Sequence, residues 1–89
     1  MKILAVCGMG FGSSMVLRMT IESVLKELGV KAAVATADIG SAKAETADII
    51  VTSTEFAPLL KDKGVPILEI KNYVDKQEMK QKLAPLLPV

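Results

Sequence analysis

Hydrophobic positions along the chain fall into four short segments bounded by turn-forming residues. The segments are residues 3–6, 31–37, 48–51 and 66–70, of which residues 31–37 are small and only weakly alternating. Short, nearly continuous apolar segments are typical of strands that are buried on both faces of a parallel sheet. The pattern therefore predicts four strands.

After the first strand and the turn that follows it, the hydrophobic residues have a different spacing. Apolar residues recur there at three- and four-residue spacing, at Leu17, Ile21, Val24, Leu25 and Leu28. Charged residues occupy the opposite face, as in an amphipathic helix. We predict a long helix that starts at Ser13 or Ser14, either of which can cap it, and ends at Gly29.

The connections on either side of the third strand are shorter. Residues 40–47 are polar and rich in alanine, and predict at most a turn or two of helix. Thr52 and Glu55 have the spacing of a capping box, which predicts a short helix from there to about Lys63. Gly64 would end that helix.

The last helix is expected to begin near Asp75, where Asp75 and Glu78 resemble a second capping box. Its apolar side is formed by Met79, Leu83, Leu86 and Leu87. Pro85 should loosen the final turn, because proline cannot donate a backbone hydrogen bond.

Strands that alternate with helices predict an α/β fold. We expect a four-stranded parallel sheet of order 2-1-3-4, a Rossmann-like and phosphatase-like arrangement with helices on both faces. Ligands bind such sheets beyond the carboxyl ends of the strands, where the winding direction reverses. That crevice lies between strands one and three, and it would be lined by the segment from Cys7 and by Thr52, Ser53 and Thr54.

The only cysteine opens a glycine-rich segment between the first strand and the first helix. The expected phosphate-binding positions are Cys7, Gly8, Met9, Gly10, Phe11, Gly12, Ser13 and Ser14. Glycines at alternate positions let the main chain approach a ligand closely, and inward-turned amides bind anions. The following helix N-terminus would favour both phosphate and a thiolate. The segment predicts a cysteine in a phosphate cradle.

Three known phosphate-binding patterns fail on this segment. A Walker loop needs a lysine that is missing, and a dinucleotide fingerprint needs a different glycine spacing. The cysteine phosphatase pattern Cys-x5-Arg has Ser13 where its arginine should stand. Without that guanidinium, little would speed attack by water on a phosphorylated cysteine. Cys7 is therefore expected to relay phosphate rather than hydrolyse it.

Composition narrows the class of protein further. We expect 89 residues to form one domain, residues 1–89, and find no run approaching the roughly 18–20 apolar residues that span a bilayer. A lone cysteine agrees with a reducing, cytoplasmic location. The net charge of +1 disfavours nucleic acid as a partner. Because histidine is absent, any phosphohistidine must lie on another chain.

At these residues the chain resembles the IIB components of the bacterial sugar phosphotransferase system (PTS). Residues 2–14 are similar to the ascorbate-type members, with relatives among the lactose/cellobiose and galactitol types. Residues 48–53 match the mid-chain strand and turn, and residues 72–75 match the start of the last helix. The resemblance implies that Cys7 takes phosphate from a phosphohistidine on a IIA protein. It would then donate it to a sugar, ascorbate-like by this resemblance, bound by a membrane IIC protein, with no cofactor and no direct membrane insertion.

Other interpretations remain open from the residues alone. Cys7 can be a small buried hydrophobe, and Met9 and Phe11 can either pack inward or contact partners. A low-molecular-weight phosphatase or arsenate reductase relative would share the loop. A soft-metal module would use a thiolate with thioethers, from Cys7, Met9, Met15 and Met19, although core packing explains the methionines more simply. A regulatory docking domain is the fourth interpretation.

Overall fold

The computed structural model describes residues 1–7 and 10–87, and the side chains of these residues outside 10–14. Strands and helices alternate along the chain. The strands are β1 (Lys2–Val6), β2 (Ala33–Ala37), β3 (Ile49–Thr52) and β4 (Ile67–Glu69). The α-helices are α1 (Gly10–Leu28), α2 (Ile39–Ala44) and α3 (Lys76–Leu83), and 3₁₀ helices cover Ala57–Lys63 and Ala84–Leu86.

The four strands form one parallel sheet in the order β2-β1-β3-β4. Ile3 of β1 stands opposite Val34 of β2 on one side and Ile49 of β3 on the other. The predicted fold class and strand order are confirmed.

Each face of the sheet is covered by helices. On one face, Ile3 and Ala5 pack in a buried cluster with side chains of α1 and α3. On the other, Leu4 and Val6 pack with Ala42 of α2 and with the longer 3₁₀ helix. The predicted apolar sides of the first and last helices lie in the first cluster: Leu17, Ile21, Val24, Leu25, Met79, Leu83 and Leu87 are buried, with Leu28 and Leu86 packed against them. No helix among residues 10–87 is long and apolar enough to cross a membrane.

Two glycines end helices as the sequence predicts. Gly29 and Gly64 both have φ of 71°, a left-handed conformation that costs glycine little. After α1, the Val30 amide donates to the Leu25 carbonyl at 3.0 Å, which satisfies an acceptor at the helix end. These ends fix where the chain turns back toward the sheet.

The start of α1 differs from the prediction. The helix begins at Gly10, so Ser13 and Ser14 lie within its first turns instead of preceding it. Glycine inside a helix costs only about 1 kcal/mol relative to alanine, and burial of the apolar face of α1 outweighs that cost. The segment between β1 and α1 is therefore shorter than eight residues.

The capping box predicted at Thr52 and Glu55 is wrong. Thr52 is still part of β3, is fully buried, and donates its hydroxyl to the Val6 carbonyl at 2.9 Å. A hydroxyl bound within the sheet cannot cap a following helix.

A turn anchored on Ser53 replaces that cap. The Ser53 carbonyl accepts the amides of Phe56 and Ala57, both at 3.2 Å. The 3₁₀ helix then begins at Ala57, with Pro58 in its first turn and no side-chain cap. This position suits Pro58, whose missing N–H would be unpaired there in any residue.

Candidate functional site

Cys7 stands at the carboxyl end of the central strand β1. Its amide donates to the Ala37 carbonyl of β2 at 3.2 Å, and its side chain, a free thiol, is 5 % exposed. Because β1 lies between β2 and β3, Cys7 is at the point where the winding of the sheet reverses. This is the switch point at which the sequence predicts a ligand crevice.

Strand alternation puts Ser53 on the same face as Cys7. Val6 pairs with Thr52, so the next positions along β1 and β3 are Cys7 and Ser53. The side chains of Cys7 and of Val51, two residues before Ser53, both belong to the cluster beneath α1 and α3. Among the described side chains, the Ser53 hydroxyl is buried without a hydrogen-bond partner. A buried polar atom without a partner at this edge is suited to a ligand.

The three residues predicted to line the crevice therefore have different roles. Ser53 lies beside Cys7, whereas Thr54 is exposed. Thr52 contributes indirectly, because its hydroxyl holds the Val6 carbonyl, which is part of the peptide bond that leads into Cys7.

Tyr73 is a third group at this site, and the sequence reasoning missed it. The pKa of Tyr73 is raised to about 12, mainly by burial and then by the interaction of its hydroxyl with the Cys7 side chain. Ser53 has a smaller effect that lowers this pKa, and the charges of Cys7 and Glu55 have smaller effects that raise it. The ring packs against the cluster that contains Cys7. The phenol therefore keeps its proton at neutral pH and can donate a hydrogen bond beside the thiol.

The segment that carries Tyr73 is tied down from several sides. The Thr20 hydroxyl of α1 donates to the Tyr73 carbonyl and shares its single proton with the Val16 carbonyl of its own helix. The Val74 amide donates to Asn72 Oδ1 at 3.1 Å, which tightens the turn. These bonds give the loop after β4 a defined path over the carboxyl edge of the sheet.

Glu78 holds the other end of the same loop. Its two carboxylate oxygens accept the amides of Lys71 at 3.0 Å and Asn72 at 3.1 Å, and it pairs with Lys82 at 2.8 Å. The Lys82 hydrogen bond is the main cause that lowers the pKa of Glu78 to about 2, and the two amides add to it. The carboxylate thus stays charged through the neutral range.

The second predicted capping box is half confirmed. Asp75 caps α3, since its Oδ1 accepts the amides of Gln77 and Glu78 at 3.0 and 3.1 Å. The reciprocal bond is not formed, because the Glu78 carboxylate turns to the loop and the Asp75 amide donates to the Asn72 carbonyl. Asp75 therefore acts as the predicted cap, whereas Glu78 binds the loop before the helix.

A signal for Tyr73 was present in the sequence. Loops that follow parallel strands meet at one edge of the sheet, and Tyr73 lies in the loop after β4. A phenol two residues before a helix cap on that edge is a candidate partner for a thiol there.

Part of the predicted phosphate cradle lies outside the described residues. Gly8 and Met9 are not described, and for Gly10, Phe11, Gly12, Ser13 and Ser14 only the backbone is described. The backbone places the first residue of α1 three positions after Cys7. The positive end of the α1 dipole therefore lies close to Cys7 along the chain, which favours an anion there.

Two of the methionines for which core packing was expected, Met15 and Met19, do not pack in the core, and Met9 lies outside the described residues. Met15 is 53 % exposed and Met19 is 62 % exposed, because both lie on the side of α1 away from Leu17 and Ile21. Within the described part of the chain, His, Cys, Asp and Glu side chains do not gather in groups of three that could hold a metal ion.

Comparison with known proteins identifies the family. The family model described as PTS system, Lactose/Cellobiose specific IIB subunit matches residues 2–85. The chain belongs to this family. PTS IIB components are phosphotransferases of sugar phosphotransferase systems, and they work with IIA and IIC partners.

Two relatives cover almost the whole IIB chain. The ascorbate-specific PTS system EIIB component of Mycoplasma pneumoniae is 39% identical over 93 residues, which are 98% of this chain and 95% of that protein. The protein of the same name from Salmonella choleraesuis is 32% identical over 89 residues, covering 97% and 88%.

Solved IIB structures share the fold. The lactose-specific IIB domain of Streptococcus pneumoniae superposes with a TM-score of 0.65 at 16% identity, over 97% of this chain and 89% of that one. The cellobiose-specific IIB protein of Borrelia burgdorferi gives 0.58 at 24% identity, over 98% and 87%. At such identities the likeness concerns the arrangement of the chain alone.

Proposed function

We propose that this IIB chain is a cytoplasmic phosphoryl carrier of a phosphoenolpyruvate-dependent sugar transport system, with Cys7 as its phosphorylated residue. The observation that carries the proposal is the convergence of the Cys7 thiol with the Tyr73 and Ser53 hydroxyls at the carboxyl edge of the sheet. A nucleophile flanked by neutral donors can hold a phosphoryl group without competing negative charge. Residues 1–89 would act as a single domain.

The charging step needs a donor on another chain, since this one has no histidine. The Cys7 thiolate attacks the phosphorus of a phosphohistidine on a IIA protein. An S–P bond forms and the N–P bond breaks, and the electron pair returns to the imidazole nitrogen, which takes up a proton. This is nucleophilic catalysis in which one transfer is divided into two.

The second step returns Cys7 to its starting state. A hydroxyl oxygen of a sugar held by a membrane IIC protein attacks phosphorus, an O–P bond forms and the S–P bond breaks. The sulfur leaves as thiolate, and the sugar hydroxyl gives its proton to a base on the partner or to water. Tyr73 and Ser53 donate to phosphoryl oxygens in both steps, with the amides of residues 8–14 as the predicted remainder of the cradle.

The site favours transfer over hydrolysis. The Cys-x5-Arg arginine is replaced by Ser13, and Arg18 is paired with Glu22 at 3.4 Å on the surface of α1. Neither supplies a bidentate clamp at Cys7, so a phosphorylated thiol would survive until a partner binds.

We infer an ascorbate-like sugar as the substrate. The support is the name of the two full-length relatives, both called ascorbate-specific components, at 39% and 32% identity. Whether the chain discharges to ascorbate is tested with membranes that contain the IIC protein encoded beside it.

The carrier function is tested by reconstituting phosphoryl transfer from phosphoenolpyruvate through IIA to this chain. Phosphoenolpyruvate with radioactive phosphorus, the general transport proteins and the cognate IIA should label the chain, and Cys7→Ser should remain unlabelled. Labelled protein should then lose its label to sugar only when IIC membranes are added. Rapid release of inorganic phosphate from the isolated labelled chain, or turnover of an aryl phosphate, would support a phosphatase instead.

A further inference from the structure

The backbone of the loop at residues 71–75 is held by hydrogen bonds with side chains that do not contact Cys7. Tyr73 is the residue of this loop whose side chain interacts with Cys7, and the loop backbone is held by α1 and α3. The position of the phenol therefore depends on side chains that do not touch the thiol.

Thr20 binds the backbone of this loop from α1. The residue is 6 % exposed, and its hydroxyl reaches the carbonyl of Tyr73 itself, 53 positions away in sequence. A bond to the backbone of Tyr73 fixes the point from which its side chain extends.

Glu78 binds the backbone of this loop from α3. One carboxylate binds two successive amides, of Lys71 and Asn72, directly before Tyr73. Lys82 braces that carboxylate at 2.8 Å and also donates to the Glu69 carbonyl at 2.6 Å, which links the loop to the end of β4. Hydrogen bonds to a charged group are about twice as strong as neutral ones.

We propose that Thr20 and Glu78 are positioning residues for phosphoryl transfer, acting only by holding the Tyr73 hydroxyl against Cys7. The proposal rests on the carrier function of Cys7. Neither residue touches the thiol, so their effect on the reaction passes through Tyr73. Loss of the hydrogen bonds made by either residue lets the phenol move into water and away from the thiol.

The chain offers a direct probe of this position, because Tyr73 is its only tyrosine and it has no tryptophan. Near-ultraviolet absorbance of tyrosinate therefore reports one group. A phenol with a pKa of about 12 is roughly one tenth ionised at pH 11, whereas a solvated one with a pKa of about 10 is roughly nine tenths ionised. Thr20→Val and Glu78→Ala should bring the ionised fraction at pH 11 to about half or more.

Matched controls separate positioning from general loosening. Thr20→Ser keeps the hydroxyl and should retain the high Tyr73 pKa. Glu22→Ala removes a comparable i,i+4 ion pair on α1 that does not contact the loop, and should leave that pKa unchanged. Circular dichroism at each pH establishes that the variants compared are folded, and Glu78→Gln replaces Glu78→Ala where the latter is not.

A kinetic test shows whether Thr20 and Glu78 affect phosphoryl transfer through the Tyr73 hydroxyl. Tyr73→Phe should slow transfer from IIA to Cys7 by about tenfold or more, as expected for a lost bond to a charged group. Thr20→Val and Glu78→Ala should each slow it severalfold in the native background and hardly at all in Tyr73→Phe.

Two results would overturn the proposal. One is a Tyr73 pKa that stays at its native value in folded Thr20→Val and Glu78→Ala. The other is a full, additive slowing by these substitutions in the Tyr73→Phe background. Failure of the native chain to become labelled would instead contradict the carrier function, while the titration would still show whether Tyr73 is held.

Discussion

Glu78 should make the stability of this protein depend on acidic pH. Its pKa is lowered from 4.5 to about 2 by the bonds that hold the loop. Each tenfold change in proton affinity is worth about 1.4 kcal/mol, so the whole displacement corresponds to about 3 kcal/mol. The Glu78 side chain is 15% exposed and Lys82 is 37% exposed, so solvent screening reduces the expected contribution to about 1–1.5 kcal/mol.

The direction of this pH dependence follows from the linkage between proton binding and folding. A carboxylate whose pKa is depressed by folding stabilises the folded chain above its unfolded pKa, here near 4.5, and loses that contribution as pH falls toward about 2. At pH 3, less than about half of it should remain. Glu78→Gln imitates the protonated side chain at every pH.

Urea unfolding of the native chain and Glu78→Gln tests this dependence. The native chain should be more stable by about 1–1.5 kcal/mol at pH 7, and the difference should shrink steadily between pH 5 and pH 3. Glu22→Gln, which removes an exposed pair at 3.4 Å, should show a difference of about 0.5 kcal/mol or less throughout. A Glu78 difference that is independent of pH, or that grows in acid, would contradict a lowered Glu78 pKa in the folded chain.

Two further substitutions test the framework of the site by urea unfolding. Thr52→Val keeps the shape of a fully buried side chain but removes its bond to the Val6 carbonyl, so it should cost about 1–2 kcal/mol, whereas Thr36→Val at an exposed position of β2 should be nearly neutral. Asp75→Ala removes the cap of α3 and should cost about 1 kcal/mol, against almost nothing for Asp62→Ala at an exposed position. Equal costs within either pair would contradict the assigned bonds.

Features governed by local chemistry were predictable from the sequence. Gly29 and Gly64 end helices because they adopt positive φ, and Asp75 starts α3 because its side chain accepts two free amides. The apolar segments predicted the strands, and with them the position of Cys7 directly after β1. These signals act within a few residues of one another.

Features that depend on distant partners were not predictable in the same way. Thr52 has the spacing of a helix cap, but β1 supplies an acceptor for its hydroxyl that lies 46 positions away. The same holds for the Glu78 carboxylate, which turns from its own helix to the loop. Tyr73 acquires its role only where loops from separate strands meet, and the exposed Met15 and Met19 follow from the way α1 is rotated on the sheet.

Phosphorus NMR of the chain after incubation with phosphoenolpyruvate, the general transport proteins and IIA tests whether Cys7 is the phosphorylated residue. We expect a single S-phosphoryl resonance that is absent from Cys7→Ser, since Cys7 is the only cysteine. An O-phosphoryl resonance in the native chain, or an unchanged spectrum in Cys7→Ser, would contradict phosphorylation of Cys7.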